Sequence, residues 1–106
     1  MHADSIIVTD NVTLTDDVVY VHGELDRWTA PALDAGLQAV TGPLLLDLRG
    51  VRSMDASALG VLVRHHRRRV TDGEDFRLVA LSSAARRVLE AFGLLEVFAP
   101  SELART

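Results

Sequence analysis

Leu44-Leu45-Leu46-Asp47-Leu48 opens the stretch that decides the fold, and Met54-Asp55-Ala56-Ser57-Ala58-Leu59-Gly60 closes it. The first segment is a nearly unbroken apolar run, the pattern of a strand covered on both faces. A loop, Arg49 to Met54, follows, and a helix is expected to begin near Ser57. Leu59, Leu62, Val63, His66 and Val70 would form its inward stripe, with Asp72-Gly73 as its stop. Strand, short loop and helix in that order make half of a parallel crossover unit.

The same grammar extends outward. Upstream, Thr29 is a good N-cap and Pro31 falls in a first turn, where its missing N–H costs nothing. Leu33, Leu37 and Val40 recur at helical spacing until Gly42-Pro43. Before that helix, Val18-Val19-Tyr20-Val21-His22 reads as a strand entered through a turn at Asp16-Asp17. Ile6-Ile7-Val8 and Val12-Thr13-Leu14 form either one irregular edge strand or a hairpin. Downstream, Phe76 to Leu81 is a strand, and Ser82 or Ser83 caps a third helix. That helix buries Ala85, Val88, Leu89 and Phe92 and stops at Gly93. Leu95 to Phe98 is expected as a last short strand, with one more helical turn over Ser101 to Ala104. The fold class is therefore α/β: a mixed sheet whose N-terminal strands are antiparallel, followed by βαβαβα units, in a single domain over residues 1–106. Leu46, Leu59, Leu62, Val63, Leu78, Leu89 and Phe92 are its expected core.

Composition narrows the chemistry. Hydrophobic residues make up 48% of the 106, enough for a packed core. No cysteine is present, which removes disulfides, thiol nucleophiles and thiolate metal sites. All eleven basic residues are arginines, so Schiff-base chemistry and a P-loop lysine are excluded. A formal net charge of −4 argues against direct nucleic-acid binding. No apolar run is long enough to span a bilayer, and Met1-His2-Ala3-Asp4 lacks the basic and apolar segments of a signal peptide. A cytoplasmic location with no membrane attachment is expected.

Loops at the carboxyl ends of parallel strands are where partners dock, and a helix start offers free N–H groups, which singles out Asp55-Ala56-Ser57-Ala58. Against this, Asp55 or Ser57 can simply cap the helix. Ser57 lacks the Gly-x-Ser-x-Gly elbow of a hydrolase nucleophile. His65 and His66 point about 100° apart on a helix and cannot chelate one metal together; a buried histidine with a hydrogen-bond partner is the better reading. Catalytic residues, metal ligands and cofactors are expected to be none. Arg64, Arg67, Arg68 and Arg69 form a basic cluster on the outer side of the second helix, read as a solvated face or an anchor for an acidic partner.

Several segments together resemble one family. Val19-Tyr20-Val21-His22-Gly23-Glu24-Leu25-Asp26, with Thr29-Ala30, is similar to the opening of STAS domains of the anti-sigma factor antagonist type. Leu44 to Leu48 and Met54-Asp55-x-Ser57-x-Leu59-Gly60 resemble the phosphoacceptor region of that family. Ser82 to Phe98, with Arg87, Leu89, Gly93-Leu94 and Phe98, resembles the third helix and final element. The resemblance implies a bacterial partner-switching module, monomeric or weakly dimeric. Its partner would be an anti-sigma factor that is also a serine kinase of the ATPase/histidine-kinase superfamily. It implies a partner-binding surface of Glu24, Asp26, Asp55, Ala56, Ser57 and Ala58. An alternative is a STAS scaffold or accessory subunit of a larger complex, such as a transporter ATPase or a signalling assembly.

One departure stands out. The family pattern is Asp-Ser-Ser/Thr-Gly, with phosphate on the first serine, whereas this chain reads Asp55-Ala56-Ser57-Ala58. Ala56 occupies the acceptor position and has no hydroxyl. Ser57 is expected as a cap or packing residue, with a displaced phosphosite as the alternative.

Overall fold

The computed structural model describes residues 6–9, 11–15 and 17–98. Five strands form one sheet in the order of the chain: β1 (Ile6–Thr9), β2 (Val12–Thr15), β3 (Val18–Leu25), β4 (Leu44–Met54) and β5 (Phe76–Leu81). The β1–β2 and β2–β3 pairs are antiparallel, and β3–β4 and β4–β5 are parallel. The N-terminal pieces are thus a hairpin. Asp17, at φ 67°, makes the turn into β3.

Helix α1 (Ala30–Gln38) crosses from β3 to β4, and α2 (Ala56–Thr71) from β4 to β5. Two right-handed crossovers advancing in the same direction put both helices on one face of the sheet. Side chains of α1 and α2 accordingly meet. Their combined apolar stripe (Leu33, Leu37, Ala58, Leu59, Val61 and Leu62) closes over Val19, Val21, Leu46 and Leu78, all buried. Helix α3 (Ser83–Ala91) packs against β4 and buries Ala85 and Leu89.

Four expectations need correction. The loop expected over Arg49 to Met54 is strand, because β3 runs on to Leu25 and pairs Glu24 with Ser53 and Leu25 with Met54. Leu95 to Phe98 forms a helical turn, α4, instead of a strand. Its buried residues, Leu95 and Phe98, are three apart, a helical spacing, while Glu96 and Val97 are exposed. The backbone enters it from a Schellman stop in which Leu94 N–H donates to the Leu89 carbonyl and Gly93 N–H to Glu90. Phe92 is 58% exposed, for it is the last residue before that stop and the chain turns beneath it. In α2, Val70 lies outside at 59% exposure, Val63 and His66 are half-buried, and His65 and Arg69 lie inside. The buried face is rotated towards α1, since α2 covers the sheet and a neighbouring helix at once. His66 instead closes an aromatic trio with Phe76 and Phe98, ring centres 5.0–5.3 Å apart. The turn expected over Ser101 to Ala104 lies outside the described residues.

Candidate functional site

The carboxyl ends of β3 and β4 deliver two helix starts side by side. Asp55 N–H donates to the Leu25 carbonyl at 3.0 Å, which ties the entry of α2 to the exit of β3. Both starts are held by an aspartate. Asp26 Oδ1 accepts from Trp28 N–H at 2.9 Å and Thr29 N–H at 3.0 Å. Asp55 Oδ1 accepts from Ser57 N–H at 2.9 Å and Ala58 N–H at 3.2 Å. Asp55 thereby satisfies donors that the start of α2 leaves open, the usual work of an N-cap, while Asp26 fastens the turn that leads into α1.

Thr29 and Ser57 therefore do not cap. The Thr29 side chain makes no cap bond to α1. Its hydroxyl donates to the Glu24 carbonyl at 2.8 Å and accepts from Asp26 N–H at 2.9 Å, which locks the 24–29 turn back onto the end of β3. Ser57 is exposed, and its hydroxyl has no partner among the described residues. Ser82, by contrast, caps α3 by accepting from Ala85 N–H at 3.1 Å.

Of the six residues expected on the partner surface, five come together at this end of the sheet. Glu24, Asp55, Ala56 and Ser57 are exposed and Asp26 is half-buried. Glu24 faces Arg52 at a loose 3.9 Å with both side chains largely in solvent, a pair of little energetic weight. Ala58 does not belong with them: it is fully buried under α2, because the second residue after an exposed Ala56 turns about 200° around the helix. The sequence reading missed Trp28, which is 77% exposed and lies under the Arg27 guanidinium, 4.8 Å from its ring centre. The available signal was an apolar aromatic inside a turn otherwise made of Asp26, Arg27 and Thr29. Also missed was an open hollow of about 400 Å³ between α1 and α2, lined by Arg27, Ala30, Pro31, Asp34, Ser57, Val61 and Arg64.

Further along the helices the hollow gives way to a buried polar seam. His65, 1% exposed, donates from Nε2 to Asp34 Oδ1 at 2.7 Å. Its Nδ1 faces Arg69 NH1 at 3.3 Å and must accept, so the ring is neutral with its proton on Nε2. Arg69 also donates to the carbonyls of Val40 at 2.6 Å and Gly42 at 3.1 Å, which follow the end of α1. It is 5% exposed and so does not belong to the outer basic cluster expected from the sequence. Burial pushes the His65 pKa below its ordinary value, and the Asp34 carboxylate opposes this only in part. Burial would raise Asp34, but hydrogen bonds from His65 and Arg64 outweigh it and hold the carboxyl below the usual range. The histidine expectation holds in kind, a buried ring with a partner, but for His65 and not for His66.

Among the described residues, no group of three or more histidine, aspartate and glutamate side chains is arranged to hold a metal ion. No described helix is long and apolar enough to cross a membrane. The assembled end of the sheet offers charge, one exposed indole and rigid backbone, which suits contact with another macromolecule.

Known proteins share the fold. The family model described as Mlab, STAS domain matches residues 8–99. An anti-sigma factor antagonist from Mycobacterium paratuberculosis superposes with a TM-score of 0.69 at 29% identity, over 93% of this chain and 84% of that one. A Thermotoga maritima protein provisionally assigned as an anti-sigma factor antagonist superposes with a TM-score of 0.68 at 25% identity, over 90% and 93%. Unphosphorylated SpoIIAA, an anti-sigma factor antagonist, reaches a TM-score of 0.66 over 92% and 85%; at 19% identity it bears on the fold alone. No curated protein matched the sequence.

Proposed function

The chain belongs to the STAS domain family, and on that premise we propose that it is an anti-sigma factor antagonist-like binding module of a bacterial partner-switching pathway. Its partner on this reading is an anti-sigma factor that is also a serine kinase of the ATPase/histidine-kinase superfamily. One observation carries the reading: the start of α2 is exposed, capped and braced against β3, with Ala56 outermost where the family pattern has a serine.

Alanine accepts no phosphate. A phosphoserine there would bring about −1.5 to −2 charge onto the contact and break a fitted surface. With Ala56 in place that release is absent, and occupancy follows affinity and concentration. Incubation with the purified kinase partner and ATP, read by intact mass, tests this. The wild-type domain should keep its mass, and Ala56→Ser should gain one phosphate. Phosphate on wild-type Ser57 would overturn the non-switching reading and leave an antagonist with a displaced site. Ala56→Asp should bind the partner more weakly, by about 1–3 kcal/mol in calorimetry.

Membership of the STAS family also leaves room for a second reading. In it the domain is an accessory subunit held permanently in a larger complex, such as a transporter ATPase, where a surface without a phosphate switch is equally at home. Co-purification with a transporter subunit in place of a kinase decides for it.

A further inference from the structure

The hollow beside the α2 start is built for a particular kind of contact. One side is Arg27 of the turn before α1 with Pro31 and Asp34 of α1; the other is the α2 row Ser57, Val61 and Arg64, spaced three and four residues apart. Its floor, Ala30 and Val61, is apolar and almost fully buried. The Arg64–Asp34 pair, at 3.4 Å, closes the end nearer the seam. Arg27 links the hollow to Trp28, since its guanidinium stacks on the indole. None of Arg27, Arg67 and Arg68 has an ion pair with a described carboxylate.

Trp28 is the chain's sole tryptophan and its most exposed large apolar side chain among the described residues. Its backbone is not loose: its own N–H is held by Asp26, and the next residue, Thr29, is bonded to Glu24 and Asp26. An aromatic presented on an ordered turn loses little entropy when it is covered, and tryptophan and arginine are both enriched among binding hot spots.

We propose that Trp28, Arg27 and the α1–α2 hollow form the anchor of the partner contact, and that the partner meets them with an acidic segment. An apolar slot of the partner takes the indole, and carboxylates take Arg27 and Arg64. The basic surplus decides the partner's sign: Arg64 and Asp34 offset each other, while Arg27 in the lining and Arg67 and Arg68 further along α2 have no ion pair with a described carboxylate. On a chain of net charge −4, that local excess is opposite to the molecule's overall field and marks the place an acidic segment can approach. The inference rests on the reading of the α2 start as a docking surface and adds to it an anchor residue and a partner charge.

The test is photo-crosslinking in the native cells with p-benzoylphenylalanine placed at Trp28, at Ala56 or, as a distant control, at Val97. Crosslinked peptides are identified by mass spectrometry, and the captured protein is then purified and titrated calorimetrically. The expected result is one partner captured from positions 28 and 56, through a peptide rich in carboxylates at position 28. Trp28→Ala and Arg27→Glu should each weaken its binding at least tenfold, and Trp28→Phe should restore most of the affinity. Unchanged thermal melting of the variants rules out misfolding as the cause. Capture from Ala56 with affinities unchanged within twofold by both substitutions overturns the anchor and leaves the docking surface standing. A basic peptide at position 28, or a second copy of this chain, also overturns it. Capture only from Val97, or from no position, removes the anchor and the docking surface together.

Discussion

At the sheet end of the α1–α2 pair, Asp26 and Asp55 point their carboxylates at backbone N–H groups, which leaves Trp28, Ala56 and Ser57 outside. At the far end, His65 lies inside between the half-buried Asp34 and the buried Arg69, and Arg69 reaches the carbonyls of Val40 and Gly42. The residue types overlap, but the backbone they meet differs: a helix start offers donors, and a helix end offers acceptors. A carboxylate suits the first and a guanidinium the second. The rim is therefore a rigid frame with replaceable contents, and the seam is a buried network in which every member is engaged. Substitution should cost binding at the rim and stability at the seam.

The largest effect that can break this contrast is at Arg69. Arg69→Met keeps most of the aliphatic stem but strips the donors from two carbonyls and from His65 Nδ1, so it should destabilise the domain by about 3–5 kcal/mol in urea unfolding. Leu62→Ala, in the apolar core, should cost a comparable amount, about 2–5 kcal/mol. A loss below about 1 kcal/mol for Arg69→Met would mean that water replaces the guanidinium and that the seam is ordinary surface.

Acid should act through the seam next. His65 has a folded pKa below its reference of 6.5, so protons bind preferentially to the unfolded chain, and its contribution is lost as pH falls below that reference. Asp34 has a folded pKa below 3.8: its contribution is full above that reference and is lost as pH falls through the folded value. Both signs agree. Stability should be level above neutrality, decline from about pH 6.5, and decline further in the carboxylate range. His65→Gln should remove the first decline and keep the second. A first decline that survives His65→Gln would assign it to another group.

At the rim the expected costs shrink. Asp55→Ala should lose about 1 kcal/mol of stability, the ordinary value of a cap, because two donors of α2 lose their acceptor. Double substitution with Asp26→Ala should depart from additivity, since the Asp55 N–H to Leu25 bond couples the two starts.

The contrast also governs what the sequence disclosed. Apolar pattern located β3, β4, β5 and the first three helices, because each buries a stripe of Leu, Val or Ala, whereas for the two N-terminal pieces it left one irregular strand and a hairpin both open. Asp26 and Asp55 were legible as part of the rim, and Asp55 as one of two cap candidates for α2; that Asp26 fastens the turn before α1 depends on backbone angles that the sequence does not display. The seam was illegible. His65 and Arg69 are four apart on α2 and polar, so a hydrophobic count turns them outward. Only the carbonyls left at the end of α1, brought alongside by the crossover, make the inside favourable for them. Leu95 to Phe98 misled for a related reason: four residues are too few for period to separate strand from helical turn, and the Schellman stop before them settles it.

The smallest expected effect tests the rim most sharply. Ser57 occupies the first turn of α2, and the sequence reading left it a choice between cap and packing residue. The cap belongs to Asp55, and the Ser57 hydroxyl is exposed and unpaired among the described residues, so Ser57→Ala removes no hydrogen bond and leaves no void. What remains is helix propensity, which favours alanine over serine by about 0.5 kcal/mol. Thermal and urea unfolding of Ser57→Ala should therefore show a change within about 0.5 kcal/mol, tilted towards greater stability. A loss near 1 kcal/mol would give the hydroxyl a structural bond after all and narrow the gap between rim and seam. A neutral result makes Ser57→Ala a clean probe, because any change it causes in partner binding or phosphate uptake is then a property of the contact surface and not of the fold beneath it.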